Sequence, residues 1–275
     1  MANLTAADVK ALRDRTGAGM LDCKNALVEA DGDVEKAIEI IRIKGLKGVE
    51  KRDGRATTDG LITGTTSDGY ATLIELASET DFVAKNEKFI ALAAKVLDAV
   101  AAAGATNADQ GNAAPLGSQT VAEAIAEGAA VLAEKIQLRR VARVSGEHFE
   151  IYLHKTSKDL PPQVGVAIGY VGSDAETARG VAQHIAFADP RYLSRADVPA
   201  DEVEKERAII VEIAKNEGKP EAALPRIIEG RTTGFFKQVA LLDQDYAKDN
   251  KQSVGTVLAN AGLTVTGFAR FKVGA

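Results

Sequence analysis

The chain has 275 residues, of which 45% are apolar and 27% charged, a composition typical of a folded globular protein. Its 34 Lys and Arg against 39 Asp and Glu give a net charge of −5, and this acidic balance, with no Trp, disfavours nucleic-acid binding as the main task. A single cysteine, Cys23, excludes an intramolecular disulfide framework. No signal peptide and no membrane-spanning apolar run are visible, so we expect a cytoplasmic protein.

Residues 1–45 carry the pattern of a small three-helix module. Apolar residues recur at helical spacing in three short segments; Thr5 is placed to cap the first, and the third is predicted from Val34 to Lys44. The cysteine falls on the apolar face of the second helix, which predicts a buried, unreactive thiol. Residues 46–59 follow as a basic, glycine-containing linker. Contact with RNA is one interpretation of this linker, but an acidic protein favours a solvated tether.

Residues 60–145 change to a β pattern, which predicts the first part of an α+β core. Two short strands, around 61–63 and 70–76, are joined by Ser67-Asp68-Gly69, a sequence typical of a hairpin turn. The elements predicted next are a helix from Phe82 to about Ala103, a mobile surface loop from Ala101 to Ser118, a helix from Thr120 to Leu132 and a strand from Ile136 to Val144.

Residues 146–197 and 235–275 form the second predicted part of the core. A second hairpin is predicted over 149–171, and Asp174 begins a helix that reaches Ala188. The order of hairpin, polar cap and amphipathic helix therefore occurs twice. It predicts antiparallel sheets that carry their helices on one face.

Residues 198–234 are predicted to form a helical hairpin inserted into the second part of the core. Val203, Ile210 and Ile213 make a narrow apolar seam among charged residues. This seam fits a projecting antiparallel coiled coil, and two surface helices packed on the core are the alternative. Pro225 predicts that the second helix begins there, because proline is tolerated in the first turn of a helix.

The sequence offers no pattern for covalent chemistry. It contains no phosphate-binding Gly-x-x-x-x-Gly-Lys-Ser/Thr loop and no Gly-x-Gly-x-x-Gly after a strand, so we expect no direct nucleotide binding. No His-x-x-x-His or Cys-x-x-Cys spacing predicts a metal site, and the three histidines have no patterned partner. We therefore expect neither an enzyme nor a bound cofactor.

One polar segment, Glu79 to Asn86, stands at the start of the predicted helix that begins at Phe82. Its aromatic residue has two interpretations, a core side chain or part of an interface. Helical spacing alone favours the core.

Two long motifs carry a resemblance to a known family: Leu12 to Leu27 and Thr80 to Asn86. The chain resembles the bacterial translation elongation factor Ts family along nearly its whole length. Shorter agreements extend the match: Ile136 to Val141, Val203 to Glu206, Gly218-Lys219-Pro220, Glu229 to Arg231 and Val265 to Phe271. The resemblance implies a ubiquitin-associated-like N-terminal module, a two-part α+β core and an inserted coiled-coil hairpin.

The resemblance also implies a function, guanine-nucleotide exchange on elongation factor Tu in its GDP-bound and nucleotide-free forms. Four residues would enter the G domain of that partner near its magnesium site: Thr80, Asp81, Phe82 and Val83. The alternative from a different class is a ubiquitin-associated-type adaptor without exchange activity.

Further partner contacts are implied elsewhere in the chain. Leu12, Arg13 and Met20 of the N-terminal module match the residues that grip a helix of the G domain. His154, after the first strand of the second hairpin, matches a histidine that displaces the phosphate-loop backbone.

Overall fold

The computed structural model describes residues 4–67, 69–218 and 220–275. Its N-terminal part is the expected three-helix module, made of α1 (Ala6–Thr16), α2 (Met20–Glu29) and α3 (Val34–Arg52). Thr5 caps α1 and exchanges hydrogen bonds with Asp8, and Gly17 ends the helix in the left-handed conformation. The side chain of Cys23 is buried in the small core of this module, as predicted.

Helix α3 is longer than the sequence pattern indicates, because it continues through residues 46–52 to Arg52. The third helix therefore does not end at Lys44, and its last turns occupy residues that the sequence pattern assigns to the linker. At Gly45 a β-carbon would lie 2.6 Å from that of Ala130, so the glycine lets another helix come close. This packing outweighs the low intrinsic helix propensity of glycine.

The first sheet begins with the predicted hairpin, β1 (Asp59–Ser67) and β2 (Tyr70–Ser78); Asp68 of its turn lies outside the described residues. The single helix expected from Phe82 is instead two helices, α4 (Asp81–Ala84) and α5 (Glu87–Ala102). Asn86 separates them, since its backbone is extended and its side chain accepts a hydrogen bond from the Lys88 amide at 2.9 Å.

The segment predicted as a mobile loop is ordered. It holds α6 (Ala108–Ala113) and the short strand β3 (Pro115–Leu116), which pairs with β4 (Gln119–Thr120) just after it. Gly111 packs against Leu138 of a later strand, where a β-carbon on residue 111 would come within 2.7 Å of the Leu138 side chain. The next two elements confirm their predictions: α7 (Val121–Leu132) and β5 (Ile136–Ser145).

The second sheet and its helix also confirm the sequence pattern. They comprise β6 (His148–His154), β7 (Val164–Val171) and α8 (Ala175–Ala188), which Asp174 caps. The chain then leaves the core for a pair of helices, α9 (Ala200–Asn216) and α10 (Leu224–Val239). It returns through β8 (Asp245–Tyr246), β9 (Asp249–Ser253), α11 (Val254–Asn260) and β10 (Thr264–Lys272).

Two antiparallel three-stranded sheets, in the orders β1-β2-β5 and β10-β7-β6, form the centre of the molecule. Their inner faces pack together through buried side chains that include Ile62, Leu73, Ala167 and Phe271. The outer face of the first sheet is covered by α5 and α7, and that of the second by α8. The result is an α+β fold with helices on one face of each sheet.

Helices α9 and α10 pack chiefly on each other, which favours the helical hairpin over two helices lying on the core. Ile210 and Ala214 are buried in their seam, whereas Ile213 is 43% exposed. The second helix has Pro225 in its first turn, as predicted. Lys219 of the connecting turn lies outside the described residues. The division into residues 1–45, 46–59, 60–145, 146–197 with 235–275, and 198–234 stays a prediction.

Candidate functional site

Helix α4 presents one aromatic side chain to solvent. Thr80 begins the helix, where its hydroxyl accepts a hydrogen bond from the Val83 amide at 3.4 Å. Val83 and Ala84 are buried in the core of the first sheet, while Phe82 is 73% exposed. The interpretation of Phe82 as a core residue is therefore wrong. Since Val83 is only 7% exposed, it anchors the helix and offers little surface to a partner.

Charged side chains surround the exposed ring. Asp81 pairs with Lys85 at 3.1 Å, one helical turn away. The Lys85 ammonium also lies 4.4 Å from the centre of the Phe82 ring, a cation–π distance. The site therefore combines an apolar ring with one charge of each sign.

The backbone before α4 is held by residues that sequence reasoning missed. The amide of Thr80 donates to Glu134 Oε2 at 3.0 Å and its hydroxyl donates to Glu134 Oε1 at 2.5 Å. Glu134 lies in the turn between α7 and β5, so these contacts cross 54 positions of sequence. No local periodicity contains such a signal.

Glu79 makes the corresponding contact from the opposite side. Its carboxylate accepts the Lys135 amide at 2.6 Å and pairs with Arg55 at 3.1 Å. Burial on its own raises the pKa of Glu79, but the hydrogen bonds from Lys135 and Arg55 outweigh that effect and hold the pKa below its usual value. Glu79 is therefore best accommodated as the carboxylate.

His154 stands at the same end of the molecule as α4. It is the last residue of β6, is exposed, and has its Nδ1 at 3.0 Å from the Tyr152 hydroxyl. The next segment returns through Gln163, whose backbone amide donates to the His154 carbonyl and whose side chain donates to the carbonyl of Gly60. Gly60 pairs with the end of β2, just before α4, so both predicted sites share one end of the two sheets.

The predicted N-terminal contacts divide into buried and exposed residues. Leu12 is 1% exposed and lies in the core of the three helices, so a contact with a partner would require the module to open, and its role stays a prediction. Arg13 is exposed and Met20 is 46% exposed. A groove of about 530 Å³ runs between α1 and α2, with the apolar side chains of Met20, Leu21 and Val28 along it.

Two kinds of feature are absent from the part of the chain that the structure describes. Within it, no three His, Cys, Asp or Glu residues are grouped so that they could hold a metal ion. No described helix has both the length and the apolar character needed to cross a membrane.

Comparison with known proteins gives consistent matches. The family model described as "Elongation factor TS" matches residues 79–275, a range that begins at the residue before Thr80. Three relatives named "Elongation factor Ts" align over the full length of both chains. They come from Clavibacter michiganensis subsp. michiganensis (72% identical over 275 residues), Leifsonia xyli subsp. xyli (64% over 276) and Kocuria rhizophila (56% over 276).

Proposed function

The chain belongs to the elongation factor Ts family of translation elongation factors, and on this premise we propose that it is a guanine-nucleotide exchange factor for elongation factor Tu. The proposal includes binding of both the GDP-bound and the nucleotide-free partner. It also includes a cytoplasmic location, where translation elongation takes place.

The observation that carries the proposal is the exposure of Phe82. Phe82 is a large apolar ring that is 73% exposed in the free protein, so covering it by a partner would favour binding. Its backbone is held by the Glu134 and Glu79 contacts and by the buried Val83, so little further ordering is needed on binding. Such a pre-positioned aromatic is suited to act as a wedge.

The energy that the wedge must supply is modest. A nanomolar nucleotide complex is worth about 12 kcal/mol, and a thousandfold faster release requires lowering the dissociation barrier by only about 4 kcal/mol. In the proposed complex Phe82 inserts near the magnesium site and, with Asp81, disturbs the ion that holds the nucleotide phosphates. Burial of the ring offsets part of the cost of that disturbance.

Thermodynamic linkage makes the process cyclic. A factor that binds the nucleotide-free partner more tightly lowers the affinity of that partner for nucleotide, and nucleotide lowers the affinity for the factor by the same ratio. No covalent step is required. The chain therefore acts in this proposal by binding alone, without a catalytic residue, a metal or a cofactor of its own.

The other predicted contacts are assigned supporting roles. His154 shares the end of the sheets where α4 lies, which supports its proposed contact with the phosphate loop of the same partner. Met20 lines the groove between α1 and α2, and Arg13 is exposed on α1; the apolar lining of the groove suits a helix of the partner.

That groove is also what favours the second candidate function, an adaptor that binds peptides through the N-terminal module alone. The two functions differ in one measurement, the release of labelled GDP from elongation factor Tu with and without the chain. We expect release to accelerate at least a thousandfold at saturating chain. Binding without acceleration would support the adaptor and refute the exchange factor.

A further inference from the structure

Residues 79–80 lie just before α4, and residues 134–135 lie just before β5. These two segments continue the geometry of the first sheet after its backbone ladder has ended. Beyond the last pair of β2 and β5, the antiparallel register would place Glu79 opposite Lys135 and Thr80 opposite Glu134. The structure joins these same two pairs, but with side-chain carboxylates as acceptors: Lys135 N–H to Glu79 at 2.6 Å, and Thr80 N–H to Glu134 at 3.0 Å. The carboxylates replace ladder carbonyls at the point where the chain turns into the helix.

Glu134 also decides which way the Thr80 hydroxyl points. The hydroxyl has one proton, and a carboxylate can only accept a hydrogen bond. In the 2.5 Å contact the Thr80 hydroxyl therefore donates its proton in a hydrogen bond to Glu134. The hydroxyl oxygen then keeps its lone pairs for the Val83 amide, which it caps at 3.4 Å. A charged acceptor strengthens such a bond and polarises the hydroxyl toward its second partner.

Helix α4 depends on this arrangement because it is only four residues long. A single turn is not stable by itself, since nucleation fixes several dihedral angles for one hydrogen bond. The core holds the inner side through Val83 and Ala84, and Glu134 holds the N-terminal side. The ring of Phe82 lies outside the core and contacts Lys85 of the same short segment, so its direction follows that of the backbone beneath it.

The turn that carries Glu134 is itself firmly placed. Ala133 has the left-handed backbone conformation, with φ 59° and ψ 24°. This conformation is unfavourable for a residue with a β-carbon, and it persists where the surrounding structure determines it. The fixed end of α7 thus sets the position of the carboxylate.

From these contacts we propose that Glu134 is a positioning residue that fixes the approach of Phe82 to the partner. The proposal rests on the exchange function proposed above. Glu134 itself does not touch the partner in this scheme; it acts through Thr80 and the backbone of α4.

The test compares Glu134→Ala and Glu134→Gln with the parental chain. Glutamine keeps the shape and can accept the Thr80 amide, but its NH₂ group would face the hydroxyl as a donor and reverse that bond. Glu123→Ala is the matched control, since Glu123 also accepts the amide and the hydroxyl of a threonine, Thr120, both on Oε2, at the start of α7. Both alanine variants therefore lose one carboxylate–threonine contact.

Two readouts separate positioning from general stability. Amide hydrogen exchange is measured at residues 83–85, and GDP release from elongation factor Tu is measured against chain concentration. We expect Glu134→Ala to accelerate amide exchange there about tenfold and to lower the maximal release rate about tenfold, because misplaced groups cost rate. The half-saturating concentration should change less than about twofold, since the other contacts remain. Glu134→Gln should fall between, and Glu123→Ala should match the parent in both readouts.

Parental amide exchange at residues 83–85 in Glu134→Ala would overturn the proposal, as would faster amide exchange with an unchanged maximal rate. An equal loss of GDP release in Glu123→Ala would also overturn it, because the effect would then follow stability alone. If the parental chain does not accelerate GDP release at all, the exchange function fails before any variant is compared. The amide measurement still reports separately whether Glu134 holds α4.

Discussion

Helices α4 and α5 differ in what they do with an aromatic side chain. Phe82 and Phe89 are seven residues apart, a spacing that would place them on one face of a continuous helix. Phe89 is fully buried in the core of the first sheet, whereas Phe82 is 73% exposed. The break at Asn86 makes the difference, because it lets the short helix take its own direction. One aromatic therefore stabilises the fold while the other is free for a partner.

The largest expected effect is on the buried member of the pair. Phe89→Ala should lower the free energy of unfolding by about 3–5 kcal/mol, because it leaves a cavity among Leu, Val and Ala side chains. Urea unfolding of the free chain measures this. Phe89→Leu, which fills most of the space, should lose far less. A loss below about 1 kcal/mol for alanine would mean that this core tolerates the cavity and that the contrast with Phe82 is weak.

Phe82→Ala should show the reverse behaviour. Its unfolding free energy should change by less than about 1 kcal/mol, as for other exposed positions. GDP release from elongation factor Tu should nonetheless slow about thirtyfold, equivalent to the ~2 kcal/mol that a buried interface aromatic contributes. Phe82→Leu should recover part of the rate. An alanine variant that is normally stable and accelerates GDP release as fast as the parental chain would refute the role of Phe82 as a wedge.

Asn86→Ala tests the break itself. Losing the cap of α5 should cost about 1 kcal/mol of stability. Because alanine favours helix, it should also join α4 to α5, turn Phe82 toward the core and slow GDP release from elongation factor Tu. Asn107→Ala removes an equivalent cap from α6, far along the chain from Phe82. Asn107→Ala should show the loss of stability alone. Equal rates of GDP release in the two variants would contradict the role given to the break between α4 and α5.

Acid should weaken the support of α4 while the apolar packing of α5 is unaffected. The pKa of Glu79 is lowered in the folded state by its Lys135 and Arg55 contacts. As the pH falls, the carboxylate of Glu79 is therefore protonated first in the unfolded chain. The stability that Glu79 contributes is fully present above the ordinary pKa of Glu, and it is lost as the pH falls through the lower pKa of the folded state. Glu79→Gln should make the urea midpoint fall less steeply with pH below about 4.5, the ordinary pKa of Glu. An unchanged slope would show that Glu79 adds no pH-dependent stability.

Local chemistry predicted much of the fold. The caps at Thr5, Thr120 and Asp174 begin helices as expected, since a polar side chain before an apolar periodic stretch is a local signal. The failures share another cause. Gly45 lies inside a helix because Ala130 packs against it, and this contact is invisible to a window of neighbouring residues.

The candidate site shows the same division. Periodicity placed Phe82 in the core, because the pattern continues across Asn86, and only the family resemblance indicated an exposed role. Glu134 was missed because its contact with Thr80 spans 54 positions and depends on the register of β2 with β5. Leu12 shows the converse: a motif identifies a segment that matters, but burial decides which of its side chains a partner can reach.

The order of strands in the second sheet has a consequence for how the protein is made. β10 covers the inner face of β5, where Arg140 donates to the Lys272 carbonyl and lies over the Phe271 ring. Yet β10 is synthesised about ninety residues after β7, its partner in the sheet. At ribosomal rates this takes roughly 5–20 seconds. During that interval the inner face of the first sheet around Val144 lacks the apolar cover that β10 adds to that of β6 and β7, and such incompletely covered surface makes a nascent chain prone to aggregation.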